Sequence, residues 1–123
     1  MAKSVLVVDD EKNIRTTLAD ILVGEGYEVR TAETGEKAVK LCHKRPFDVV
    51  LLDIRMPGMD GFEASRLIRR ERRGTCVIMM SAYSTEEFQR VALHEGAAAF
   101  IRKPLDLDRV LELIREARPA SQV

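Results

Sequence analysis

Five short apolar runs punctuate the chain: SVLVVD (Ser4 to Asp9), EVRTA (Glu28 to Ala32), DVVLLD (Asp48 to Asp53), CVIMMS (Cys76 to Ser81) and AAFIRK (Ala98 to Lys103). Each has the length of a strand, and each is followed by a helical spacing of apolar residues. Ile14, Leu18, Ile21 and Leu22 line one face of the first helix, and Leu107, Val110, Leu111 and Ile114 line one face of the last. Three further helices are expected at about Gly35 to His43, Gly61 to Arg70 and Thr85 to Glu95. Punctuation supports these cuts. Asp10, Thr34, Asp60, Ser84 and Asp106 are placed to cap helix N-termini, Ser84 with Glu87 as a capping box, and Gly24, Gly26, Gly74 and Gly96 follow helix ends.

Strict alternation of strand and helix implies α/β architecture. Parallel strands need crossovers, the crossovers are right-handed, and helices then cover both faces of a doubly wound five-stranded sheet. The first, third and fourth runs are apolar enough for strands buried on both faces, whereas EVRTA suits an edge. The expected strand order is 2-1-3-4-5. In such an open sheet the crevice lies beyond the carboxyl ends of strands one and three, where the order reverses.

The length of 123 residues fits one domain, taken as 1–123 with 118–123 as a tail or the start of a linker. An apolar content of 46% beside 33% charged residues excludes a disordered chain. Lys plus Arg and Asp plus Glu balance at 20 each, so bulk charge asks for neither nucleic acid nor an anionic membrane as partner. The one basic run, Arg66, Arg69, Arg70, Arg72 and Arg73, falls near a helix end, where the helix dipole favours cations. The first apolar run is too short for a signal peptide, and no segment is long enough to span a membrane. Cys42 and Cys76 lack metal or redox spacing and read as buried thiols of a cytoplasmic protein. His43 and His94 sit near helix ends without catalytic partners.

The strand ends carry the chemistry. Asp9 and Asp10 follow the first strand, Asp53 ends the third, Ser81 the fourth and Lys103 the fifth. Read singly, the first two acids cap a helix, Asp53 opens a turn, Ser81 bonds a loop and Lys103 is solvated. Converged on one crevice, three carboxylates repel unless they take protons or meet a cation. Mg²⁺ answers this need, because it binds one or two carboxylates and accepts phosphate oxygens. With two acids holding the metal, Asp53 is free to act as a nucleophile toward phosphorus. The metal, the Lys103 ammonium and the Ser81 hydroxyl are then available for the equatorial oxygens.

The motifs VVDD, LLDIRMPGMDG, MSAY and FIRKP, taken in this order and spacing, resemble the receiver domain of two-component response regulators over nearly the whole chain. The resemblance implies a flavodoxin-like (βα)5 three-layer sandwich of the CheY-like superfamily. It implies that Asp53 accepts a phosphoryl group from a phosphohistidine on a sensor histidine kinase or histidine phosphotransfer protein. Asp10 and Asp53 then bind Mg²⁺ directly, Asp9 acts mainly through water, and the main-chain carbonyl of Arg55 is a further ligand. Ser81 and Phe100 take the switch roles, although Phe100 lacks the hydroxyl of a Tyr, and Lys103 contacts the phosphoryl group. The Lys103 to Pro104 bond is expected to be cis. Arg55 and Tyr83 flank the mouth of the site. The output surface is the fourth helix, fifth strand and fifth helix, serving a downstream effector or output domain. The protein is expected to be a phosphoacceptor that assists its own phosphorylation and dephosphorylation, not an enzyme, and a monomer able to dimerise when phosphorylated. The tail RPASQV suits either a stand-alone regulator or a linker.

Three other functions fit the sequence less well. A flavodoxin-like electron carrier needs a glycine- and hydroxyl-rich phosphate loop where this chain has DDEKN. An aspartate-nucleophile phosphatase needs a DxD arrangement, and the run here is Asp9-Asp10-Glu11. A receiver-like interaction module without phosphate regulation has no use for the intact set of Asp10, Asp53, Ser81 and Lys103.

Overall fold

Strand and helix alternate along the chain of this computed structural model, which describes residues 2–83 and 85–117. The elements are β1 (Ser4–Val8), α1 (Lys12–Gly24), β2 (Glu28–Ala32), α2 (Gly35–Lys44), β3 (Val49–Asp53), α3 (Gly61–Glu71), β4 (Cys76–Ser81), α4 (Glu86–His94), β5 (Ala99–Arg102) and α5 (Leu107–Glu116). All strand pairs are parallel, and the sheet order is β2-β1-β3-β4-β5, as the polarity of the five runs predicts.

Alternation along the strands sorts the core into two layers. Leu6, Val8, Val50, Leu52, Val77 and Met79 face α2, α3 and α4, meeting Ala38, Cys42, Ala64, Ile68 and Ala92. Val5, Val7, Val49, Leu51, Ile78 and Met80 face the other way, against Leu18 and Leu22 of α1 and Val110 and Ile114 of α5. Burying each such aliphatic side chain contributes roughly 1.5–3 kcal/mol. The three central strands are therefore the rigid part of the molecule. β2, with mostly exposed or half-buried positions, is an edge.

Helix boundaries follow the expected caps with three exceptions. The side chains of Thr34, Asp60 and Asp106 accept from the N–H groups of Lys37, Glu63 and Arg109 at 3.1, 2.9 and 3.3 Å. Asp10 does not cap α1. The helix starts at Lys12, so the cap position belongs to Glu11, whose side chain makes no capping bond. Gly24 lies inside α1 instead of after it, and the left-handed turns fall to Gly26 and Gly96, with φ of 93° and 98°. Ser84 and the tail 118–123 lie outside the described residues, and the cap of α4 is Thr85, which accepts from the Phe88 N–H at 3.2 Å.

The basic run of α3 acts on neighbouring helices more than on its own. Arg72 donates to the carbonyls of Cys42 and His43 at 2.8 and 3.0 Å, closing the C-terminal end of α2. Arg69 donates to the carbonyl of Glu95 at the end of α4, and Arg66 pairs with the Glu95 carboxylate at 3.2 Å. Among the described residues, no helix is long and apolar enough to cross a membrane.

Candidate functional site

Parallel strands deliver all their carboxyl ends to one edge of the sheet, and the register decides which residues meet there. Val8 pairs with Leu52, so Asp9 and Asp53 step off neighbouring strands side by side. Asp53 pairs with Met80 and Ser81 with Arg102, which brings Ser81 and Lys103 one residue further along the same edge. The Lys103 N–H also donates to the Ser81 carbonyl at 2.9 Å, joining the last two contributors through the main chain.

One carboxylate oxygen from each of Asp9, Asp10 and Asp53 lies within 4.8 Å of the others. Asp9 is fully buried, Asp53 is 5% exposed and Asp10 is open to solvent. The Lys103 ammonium sits between the two buried acids, 2.7 Å from Asp9 Oδ2 and 3.1 Å from Asp53 Oδ2. The remaining oxygens accept main-chain donors: Asp9 Oδ1 from the Glu11 N–H at 2.9 Å, and Asp53 Oδ1 from the Arg55 N–H at 3.3 Å.

One ammonium does not neutralise three acids. Burial, and then the charge of Asp9, push the Asp53 carboxyl up to about 6, although Lys103 and the Arg55 N–H pull the other way. Burial also pulls on the Lys103 ammonium, but its hydrogen bond to Asp9 and the charges of both acids outweigh this and hold it above its ordinary value. Such a surplus of close, hard oxygen donors fits a small divalent cation. The donor set is thus suited to Mg²⁺ on its own chemistry.

Ser81 is buried, and its hydroxyl oxygen accepts the Tyr83 N–H at 3.0 Å, which leaves the hydroxyl proton to donate. At the mouth, the Arg55 guanidinium lies 4.1 Å from the centre of the Tyr83 ring, a cation–π contact. Phe100 is half-buried on β5 and meets the ring of Phe88 edge-on at 6.2 Å. Phe88 also touches Tyr83 at 6.2 Å and Phe62 at 5.7 Å, so the mouth and Phe100 are connected through α4. The Lys103–Pro104 peptide is cis.

Residues 5–115 match the family described as the response regulator receiver domain. The chain belongs to this family. It is 40% identical over 117 residues to the chemotaxis protein CheY of Bacillus subtilis, covering 94% of this chain and 98% of that one. It is also 40% identical over 113 residues to the regulatory protein AtoC of Escherichia coli, but those residues make up 92% of this chain and only 24% of AtoC. The chain therefore spans about a quarter of one relative and nearly all of the other. Among solved structures, a CheY-like receiver domain from Methanospirillum hungatei superposes with a TM-score of 0.89 at 34% identity, covering 94% of this chain and 93% of that chain.

The structure of this receiver domain adds residues that the motifs did not single out. A Cβ on Gly61 would lie 2.6 Å from the carbonyl oxygen of Asp53 and 2.6 Å from Ile54 Cα, so α3 starts against the backbone of the acid itself. The signal was present in the Asp60-Gly61 pair, because a helix seldom begins on glycine without a close approach to explain it. Arg15 donates to the main-chain carbonyl of Asp9 at 2.8 Å. Nothing in the local sequence distinguishes this arginine from a solvated one. Phe88 is likewise one apolar position of α4 among several, distinguished only by its ring contacts.

Proposed function

We propose that this receiver domain is a phosphoacceptor switch in which Asp53 takes a phosphoryl group from a phosphohistidine on a sensor histidine kinase or histidine phosphotransfer protein. The observation that carries this reading is the placement of Asp53, buried at the end of the central strand and in contact with a half-buried ammonium beside two further carboxylates. A carboxylate oxygen of Asp53 bonds to phosphorus while the phosphorus–nitrogen bond breaks and its electron pair leaves with the imidazole. A value of about 6 leaves Asp53 mostly ionised at neutral pH, as a nucleophile requires. Lys103 already bridges Asp9 and Asp53 and is close enough to follow the negative charge onto a phosphoryl oxygen. Ser81 has a proton to donate to another. Asp9, Asp10, Asp53 and the main-chain carbonyl of Arg55 would hold Mg²⁺, which supplies charge neutralisation when bound.

The added charge shifts the population toward an active arrangement of the α4–β5–α5 surface, which binds a downstream effector or output domain. Phe100 is the link, and its contact with Phe88 supports that role. The domain 1–123 so described works in the cytoplasm as a protein that assists its own phosphorylation and dephosphorylation. Incubation with Mg²⁺ and acetyl phosphate, followed by intact-mass measurement, is expected to show one added phosphate, and none in Asp53→Asn. A folded, Mg²⁺-binding protein that takes no label would instead be an interaction module without phosphate regulation.

A further inference from the structure

We infer that Arg15 is a positioning residue of the metal site, aiming Asp10 by holding the peptide that joins it to Asp9. The inference rests on the Mg²⁺ site proposed above. It starts from an asymmetry among the three acids. The carboxylate of Asp9 is held by Lys103 and the Glu11 N–H, and that of Asp53 by Lys103 and the Arg55 N–H. Asp10 accepts no hydrogen bond and forms no ion pair among the described residues, and its side chain is exposed, yet its carboxylate stays with the other two. Only its backbone can keep it there.

That backbone has just left the sheet. β1 ends at Val8, so the main chain of Asp9 must find its own partners, and its N–H donates to the Ala32 carbonyl at 3.2 Å. Its carbonyl cannot turn to water, because Asp9 is fully buried. Arg15 Nη1 satisfies it at 2.8 Å, while Nη2 lies 4.0 Å from Glu33 Oε2 in the connection between β2 and α2. The Arg15 side chain is 16% exposed, and its guanidinium spans the two anchors. Fixing the carbonyl of residue 9 fixes the plane of the peptide, and with it the position of the Asp10 Cα from which the side chain departs.

Charge and positioning make opposite demands on a test. An arginine near three acids weakens cation binding by repulsion, so a purely electrostatic role predicts that Arg15→Met binds Mg²⁺ more tightly and that Arg15→Lys binds it as the wild type does. Positioning predicts that both bind it more weakly, by roughly 10-fold, as is typical when a residue that orients metal ligands is lost. Titration calorimetry with MgCl₂ on the full chain, well below the melting temperature, separates the two. Asp48→Ala serves as the control, because it removes hydrogen bonds to Ser4 at the opposite end of the sheet and lowers stability without touching the site, and its affinity is expected to match the wild type. Should the Arg15 variants not fold, Glu33→Gln loosens the far end of the guanidinium, and a smaller loss in the same direction is expected. Wild-type affinity in Arg15→Lys, or in Glu33→Gln where that is the variant that folds, overturns the inference, as does tighter binding by Arg15→Met. The phosphoacceptor reading fails separately, through a wild-type protein that binds Mg²⁺ and takes no phosphate.

Discussion

β1 and β3 are neighbours along their whole length, and an aspartate marks each end of the pair. At the amino end, Asp48 Oδ2 accepts the N–H and the hydroxyl of Ser4 at 2.8 and 3.2 Å, and the Asp48 N–H returns a bond to the Ser4 hydroxyl at 3.0 Å. This acid is exposed, has neutral donors for partners and ties the two strands in register. At the carboxyl end, Asp9 and Asp53 are buried with one ammonium between them. The same residue type closes the sheet at one end and leaves it in deficit of positive charge at the other. What separates the structural aspartate at one end from the proposed phosphoacceptor at the other is burial beside a second acid.

The comparison is broken most directly by removing the cation. Lys103→Met leaves two buried carboxylates without their ammonium and is expected to cost about 3–5 kcal/mol at neutral pH. Urea unfolding at pH 7 and pH 5 measures it. The loss should shrink at the lower pH, where Asp53 takes up a proton instead.

Removing an acid acts in the opposite direction. Folding raises the Asp53 carboxyl from 3.8 to about 6, so the folded protein holds that proton more firmly than the unfolded chain does. The group costs nothing below about pH 4, its cost grows between about pH 4 and pH 6, and above that the cost is complete. Asp53→Asn has no such proton to lose and should be more stable than the wild type by about 2–3 kcal/mol at pH 7 in metal-free buffer. That advantage should vanish near pH 4 and narrow on addition of Mg²⁺. A variant less stable than the wild type at pH 7 would show that Lys103 already balances the site.

Gly61→Ala probes the same end through sterics alone. Its methyl group would press on Asp53 and Ile54, at an expected cost of about 1–3 kcal/mol in thermal or urea unfolding. Because the displaced atom belongs to the acid, Mg²⁺ affinity should fall as well. The smallest effect is expected at the other end. Asp48→Ala loses two hydrogen bonds from neutral donors to an exposed carboxylate, worth about 1.5 kcal/mol, with no change in Mg²⁺ affinity.

Much of this molecule is legible in its sequence. Periodicity alone separates five strands from five helices, and the polarity of EVRTA sends β2 to the edge, because burial on both faces of a parallel sheet demands unbroken apolar runs. Three of the expected caps hold because capping is a local exchange between residues three apart. The acids, Ser81 and Lys103 can be listed in advance because parallel strands end at one edge. Other features depend on neighbours far away in the chain. The targets of Arg69 and Arg72, the contact of Gly61 with Asp53 and the grip of Arg15 on Asp9 join different elements, so no local pattern encodes them. The same holds for the raised affinity of Asp53 for its proton, which depends on how deeply the acid is buried and how near Asp9 and Lys103 come. Sequence determined which chemical groups reach the carboxyl edge of the sheet, since strand periodicity is a short-range property. Tertiary structure decided their charge balance and their aim, since both depend on distances that only packing sets.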